Sequence, residues 1–207
     1  MIIDPQEQSF QENHKLMIGS IVPRPIALVS TISNNGINNL APFSYFNGVC
    51  SKPPTIMFAP ARRGWDGKEK DTLVNIRESK EFTINIVSES YVEKMVVCGT
   101  DFDPKIDEFD TSKLIKVPSK KVKPPIVKQS KVSFECLLTQ IVQIGKNEAG
   151  GGFIVIGEII LFHIDDKVYN KGHINLSKLN PVGRLAGDWY TRSKDNFKVI
   201  RKIKPNN

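Results

Sequence analysis

The chain has 207 residues, 40% apolar and 25% charged, with a formal net charge of +7. Those proportions suit a folded globular protein with a sizeable core and exclude a disordered chain. No apolar run approaches the roughly 18 residues that cross a bilayer. The opening "MIIDPQEQSFQENHK" lacks a basic segment followed by an apolar one, so a secretory leader is not expected and the cytosol is the expected location.

In chain order, Asp4-Pro5-x-Glu7 reads as a helix start, with Asp4 as cap and Pro5 in the first turn. That helix is expected to reach about Met17 and stop before Gly19. "RPIALVSTI" (24–32) is β-rich, "SNNG" (33–36) is a hairpin turn because Asn and Gly tolerate positive φ, and the return strand covers about 37–46. "PPTIMFAPA" gives a third strand near 55–59. Asp71 is expected to cap a short helix, "TLVNIRES". In "EFTINIV" the alternation of Phe82, Ile84 and Ile86 with Glu81, Thr83 and Asn85 predicts a half-buried strand. A helix follows near 89–98, with Val92, Met95 and Val96 at helical spacing.

Residues 99–131 form a long polar connection, of the kind that serves as a lid, a partner arm or an interface. Its "DFDPKIDEFD" (101–110) reads as a solvated acidic loop, since Pro104 and Phe109 break a calcium-loop pattern. Two long strands come next, "KVSFECLLTQIVQIG" and "GFIVIGEIILFHI", joined by the hairpin loop "KNEAGGG". A strand follows Gly150–Gly152, not a helix, so this is no dinucleotide fingerprint. His163, late in its strand, is expected to be packed or at the surface. Strands joined by hairpins and turns predict a mainly β protein, an antiparallel barrel with helices at its ends or sides, in one domain over residues 1–207.

Cys50, Cys98 and Cys136 lie far apart and form no CxxC pair, so reduced, mostly packed thiols are expected, with no disulfide framework or zinc site. The positive charge suits polyanions or a phosphate-bearing small molecule. The basic runs "SKKVKPPIVKQSK" (119–131) and "KVIRKIKPNN" (198–207) lack a reading helix or aromatic sheet motif and are expected to be a solvated loop and a frayed end.

Three segments carry candidate chemistry. In "NNLAPFSYFNGVCSKPP" (38–54), Pro42 has no N–H to give to a sheet, which frees neighbouring main chain, and Ala41 leaves room for close approach. Ser44 and Asn47 can bond the heteroatoms of a flat ring, while Phe43 and Phe46 can cover its apolar part. A barrel corner with buried aromatics is the alternative. In "ARRGWDGKEKDTL" (61–73), Arg62, Arg63, Lys68 and Lys70 precede a helix start, where free N–H groups and the Thr72 hydroxyl suit a phosphate. A solvated loop is the alternative. In "PVGRLAGDWY" (181–190), Gly183 and Gly187 permit close backbone approach, Arg184 suits an anion, and Trp189 or Tyr190 can stack. The alternative is a strap packed on the barrel.

Taken in order, "VPRPIALVST", "NNLAPFSYFNGVCSKPP", "KDTLVNI" ahead of "EFTINIV", "DEFDTSKLIKVPSKKVKPPIVKQSKVSFECLL" and "VGRLAGDWY" resemble the flavin reductase-like, FMN-binding split-barrel family, over about residues 10–192. The resemblance implies a homodimer of six-stranded Greek-key split barrels, each holding FMN near the interface. It implies flavin contact through Ala41, Pro42, Phe43 and Ser44, and phosphate contact through Ser30, Thr31, Lys70 and Thr72. Arg24, Asn47, Arg62 and Arg184 join the set; Arg63 and Lys68 fall where the family varies and are left out. Tyr45 and Trp189 either shape the flavin face or belong to the core.

The activity implied is reduction of flavin by NADH or NADPH, with no acid–base residue set required, because flavin itself carries the two-electron step. A flavoredoxin-like electron carrier working with a redox partner protein is the second reading. A basic barrel that binds nucleic acid is the third. Neither nucleic acid nor membrane is an expected partner.

Overall fold

A computed structural model describes residues 1–200; residues 201–207 of the basic tail lie outside the described residues. Seven strands form the main sheet: β1 (Ala27–Ile32), β2 (Asn38–Phe43), β3 (Phe46–Ser51), β4 (Pro54–Phe58), β5 (Glu81–Ile86), β6 (Val132–Ile144) and β7 (Gly152–Ile164). Their order is β2-β1-β5-β6-β7-β4-β3, and each neighbouring pair runs antiparallel. The barrel expected from the hairpin pattern is therefore present, with one strand more than the six implied by the resemblance. β3 escaped the sequence reading because it is an edge strand, exposed from Asn47 onward, and shows no alternation to detect.

The sheet wraps one apolar cluster that includes Val29, Phe43, Phe58, Phe82, Ile84, Cys136 and Val155. Phe58 sits at its centre, 5.0 Å from the Phe43 ring centroid and 5.8 Å from that of Phe82. Helix α2 (Asp71–Ser79) closes one end, with Leu73 and Ile76 buried in the same cluster. A second cluster lies on the outer face of β1 and β2. There Leu28 and Leu40 meet Tyr91 and Met95 around α3 (Val92–Val97), and Phe109 of α4 (Glu108–Ser112).

Several local expectations shift. Asp4 accepts a hydrogen bond from Gln6 N, but it caps only a 3-10 turn over Pro5–Glu7. Helix α1 (Phe10–Ser20) starts at Ser9 instead, through a capping box with Glu12, and runs through Gly19. Asp71 is the first residue of α2, not its cap; the cap position is Lys70, with no side-chain bond. β5 is buried on both faces. Its polar face is covered because Thr83 donates to Pro125 O, and Asn85 accepts from Val127 N and Ser133 Oγ.

The 99–131 connection is folded rather than solvated. Glu108 and Phe109 are buried, and a short ribbon pairs Lys116–Val117 with Ile126–Val127. Its far half is pinned by the fully buried Glu135 of β6. That carboxylate accepts from the backbone N–H groups of Lys120, Lys121 and Val122, and lies 2.5 Å from His163 Nε2. Burial alone would raise the Glu135 pKa, yet these donors hold it below the ordinary carboxylate value. Cys98 and Cys136 are buried and Cys50 is exposed on β3.

Because its folded pKa is depressed, Glu135 stabilises the fold fully above the ordinary carboxylate range, and this is lost as pH falls below that range. Glu135→Gln, which faces three N–H donors with one acceptor oxygen and an NH2 group, is expected to cost about 2–4 kcal/mol. Urea unfolding at neutral pH, repeated near pH 4 where the gap should narrow, checks both parts.

Candidate functional site

A two-lobed groove opens where β2, the start of α2 and the chain after α3 converge. Pro42, Gly99 and Thr100 line both lobes. The sheet gives β2 one strand neighbour, β1, and Pro42 supplies no N–H to any partner. A Cβ on Gly99 would lie 3.6 Å from the Pro42 ring and 3.2 Å from Val96 O, so a glycine there lets the α3 end pass close to β2.

One lobe is charged. Ala41, Pro42, Phe43, Arg63, Lys70, Asp71, Thr72 and Asp101 are among its lining residues. Leu73 N and Val74 N donate to Lys70 O, which leaves the Asp71 and Thr72 amides at the start of α2 without an acceptor among the described residues, and the helix N-terminus favours an anion. Lys70 Nζ donates to Asp101 Oδ1 at 3.0 Å, Trp65 Nε1 donates to the other Asp101 oxygen at 3.2 Å, and Arg63 pairs with Asp71 at 2.9 Å. Burial holds the Asp71 carboxyl above its ordinary value despite Arg63 and Lys70; Asp101 is drawn below its own, the hydrogen bonds of Lys70 and Trp65 outweighing its burial.

The other lobe has no acidic lining residue among the described residues. Ile26, Met95, Val96 and Tyr190 line it, together with Ser44 and Arg184. The Arg184 guanidinium lies 4.5 Å from the centroid of the Tyr190 ring. Arg24 donates through Nε to Ser44 Oγ at 3.2 Å, which occupies a lone pair and leaves the serine proton to give elsewhere.

Behind the charged lobe runs a buried polar relay. Glu108 accepts from Asn39 Nδ2 and Leu40 N, both at 2.9 Å. With its amide nitrogen committed to that carboxylate, Asn39 turns Oδ1 to accept from Thr72 Oγ1 at 2.6 Å and Thr31 Oγ1 at 3.2 Å. Asn75 Nδ2 then donates to Thr31. Burial pushes the Glu108 carboxyl up from its ordinary value, partly offset by the Leu40 amide.

Of the twelve residues singled out in the sequence, the groove gathers seven: Ala41, Pro42, Phe43, Ser44, Lys70, Thr72 and Arg184. The roles of some change. Phe43 packs its ring into the core, as in the barrel-corner alternative. The Thr72 hydroxyl is spent on Asn39, so only its amide is left without an acceptor.

Five residues do not line the groove. Arg24 is buried and also donates to the carbonyls of Ile18, Ile21 and Leu185, so it positions Ser44 and the 184–185 strap. Ser30 is wholly buried, with its hydroxyl unpartnered within the described residues. Thr31 is consumed by the relay. Asn47 stands exposed on β3, accepting from Gly48 N. Arg62 donates to Gly67 O and Asn147 Oδ1 and lines a separate groove with Phe10, Met17 and Tyr45.

Gly183 is close-packed, since a Cβ there would meet Pro23 at 2.9 Å, and Trp189 is 76% exposed. The groove also takes Arg63, which the sequence reading weighed and left out, and Asn39, Asp101 and Glu108, which it missed. The last two lie in the acidic run read as a solvated loop.

A family model described as "Flavin reductase like domain" matches residues 18–177. A protein of Aquifex aeolicus is 41% identical over 187 residues, spanning 90% of this chain and 92% of that one. Nitrilotriacetate monooxygenase component B from Bacillus cereus superposes with a TM-score of 0.91 at 34% identity, over 96% of this chain and 98% of that one. The 2-nitrobenzoate 2-nitroreductase of Pseudomonas fluorescens does so at 0.86 and 31%, over 100% and 99%. The seven-stranded antiparallel sheet is thus a split barrel, and the chain belongs to the flavin reductase-like family.

Proposed function

We propose that the groove holds FMN and that the protein is an oxidoreductase in which NADH or NADPH reduces it. The observation that carries this is the pairing of two unlike lobes at Pro42. One presents Lys70, Arg63 and a helix N-terminus; the other presents apolar side chains with Ser44 and Arg184 among them. A flat heterocycle joined to a phosphate monoester needs that combination. The names of the monooxygenase component and the nitroreductase, carried to this chain, support the reaction class.

When bound, flavin would supply the two-electron redox chemistry with the nicotinamide. The chain's own part is to hold and orient. Lys70 and the α2 amides grip the phosphate. Pro42 and Ala41 bring main chain against the ring. Ser44, oriented by Arg24, would donate a hydrogen bond to a ring acceptor.

We further propose a homodimer, the assembly that the family resemblance implies. Helix α1 buries none of its residues, and it leaves Leu16, Met17 and Ile21 half exposed, as is Val49 on β3. An apolar set of that kind is the mark of a surface made to be covered.

The purified protein mixed with FMN is expected to show bound-flavin absorbance that bleaches when NADH or NADPH is added without oxygen. Stable colour that resists both nucleotides would favour the electron-carrier reading, and failure to bind FMN would end the flavin reading. Lys70→Ala is expected to weaken FMN by about 1.5–3 kcal/mol while leaving riboflavin nearly unchanged; equal loss for both ligands would put the phosphate elsewhere. By sedimentation velocity the wild type is expected at twice the chain mass, and Leu16→Glu with Met17→Glu at one. A monomeric wild type at tens of micromolar would refute the dimer.

A further inference from the structure

Within the charged lobe the chain supplies an anion of its own. Asp101, three residues beyond Cys98, stretches one carboxylate oxygen to Lys70 Nζ and the other to the Trp65 indole N–H. Both contacts are long in sequence, 31 and 36 residues, so they tie the start of the 99–131 connection to the loop that precedes α2. Asp101 and Lys70 are each about one-third exposed, so solvent and solutes reach the pair. Arg63, the other cation of this lobe, is already paired with Asp71. Lys70 and Arg63 are thus matched by Asp101 and Asp71, and the four charges cancel.

We propose that Asp101 is a specificity-determining residue: its carboxylate competes for Lys70 with the phosphate monoester of an incoming ligand. An anion that takes the Lys70 ammonium must displace Asp101, and with it the acceptor of the Trp65 indole. A dianionic phosphate monoester does this because it offers more charge and three acceptor oxygens to the same donors and to the α2 amides. A neutral ligand such as riboflavin gains nothing at Lys70 and leaves the carboxylate in place. Asp101 therefore lowers the affinity for every phosphorylated ligand. It also excludes weaker monoanions, which bring no more charge than the carboxylate they would replace. The contact breaks with the arrival of the phosphate, so the 99–103 segment is released from the α2 loop at that moment.

The proposal rests on the flavin reading for its ligand but not for its chemistry, and the test separates the two. The Trp65 side-chain N–H resonance is followed by NMR in the full-length protein during titration with FMN, riboflavin and inorganic phosphate, and affinities are measured for wild type, Asp101→Asn and Trp65→Phe. The indole is 71% exposed, so its N–H shift reports the loss of Asp101 directly. FMN and phosphate are expected to move that resonance and riboflavin to leave it. Asp101→Asn is expected to tighten FMN about three- to tenfold, and Trp65→Phe by a smaller factor, with riboflavin unchanged and the gain shrinking at high salt.

FMN binding that leaves the indole resonance unmoved would overturn the proposal. So would unchanged or weaker FMN affinity in Asp101→Asn, with folding checked by thermal melting, or equal tightening of both flavins. If inorganic phosphate shifts the indole while neither flavin binds, the competition at Lys70 stands and the flavin reading falls.

Discussion

The Glu108 carboxylate is buried against an amide and a main-chain N–H, and much of the site follows from how that charge is satisfied. A buried carboxylate is costly unless hydrogen-bonded. Asn39 and Leu40 meet that need from β2, which draws α4 and the long connection onto the outside of the barrel. The same bond orients Asn39, so its oxygen must face Thr31 and Thr72. Strand β1, strand β2, helix α2 and the connection are thereby locked at a single residue. The groove lies along that junction, so its walls come from segments far apart in sequence.

This arrangement separates positioning from contact. Arg24, Thr31 and Asn39 carry polar groups suited to a ligand but use them on the chain itself. Their effect on a ligand passes through what they hold: Ser44 for Arg24, the first turn of α2 for Asn39. The main chain near Pro42 and the Asp71 and Thr72 amides stay open to a ligand, and both are insensitive to side-chain identity. That accounts for a site whose sequence signature is a spacing of short segments rather than a set of invariant chemical groups.

Much of the fold was legible because hydrophobic alternation and turn residues are local. β1, β2, β5 and the long β6–β7 hairpin fall close to where the pattern puts them. The failures were non-local. Thr83 and Asn85 read as solvent-facing, yet they are buried because residues 125–127 return to cover them. Glu108 read as a solvated acid because its partners stand 68 and 69 residues upstream. The helix cap at Asp4 competed with a better capping box at Ser9, and propensity alone does not rank two adjacent starts. At the groove, the Pro42 segment stood out in the sequence from backbone chemistry and Lys70 from the resemblance, whereas Asp101 was hidden inside a run of acids whose members look alike until folded.

β3 presents a bare hydrogen-bonding rim, with Val49 55% exposed. A strand in that condition can recruit any extended peptide, including a misfolded copy of the chain itself. Only two irregularities blunt it: the register shift between Gly48 and Cys50, and the prolines at 53 and 54 where it turns into β4. A lysine placed on this rim would therefore oppose edge-to-edge aggregation without touching the groove.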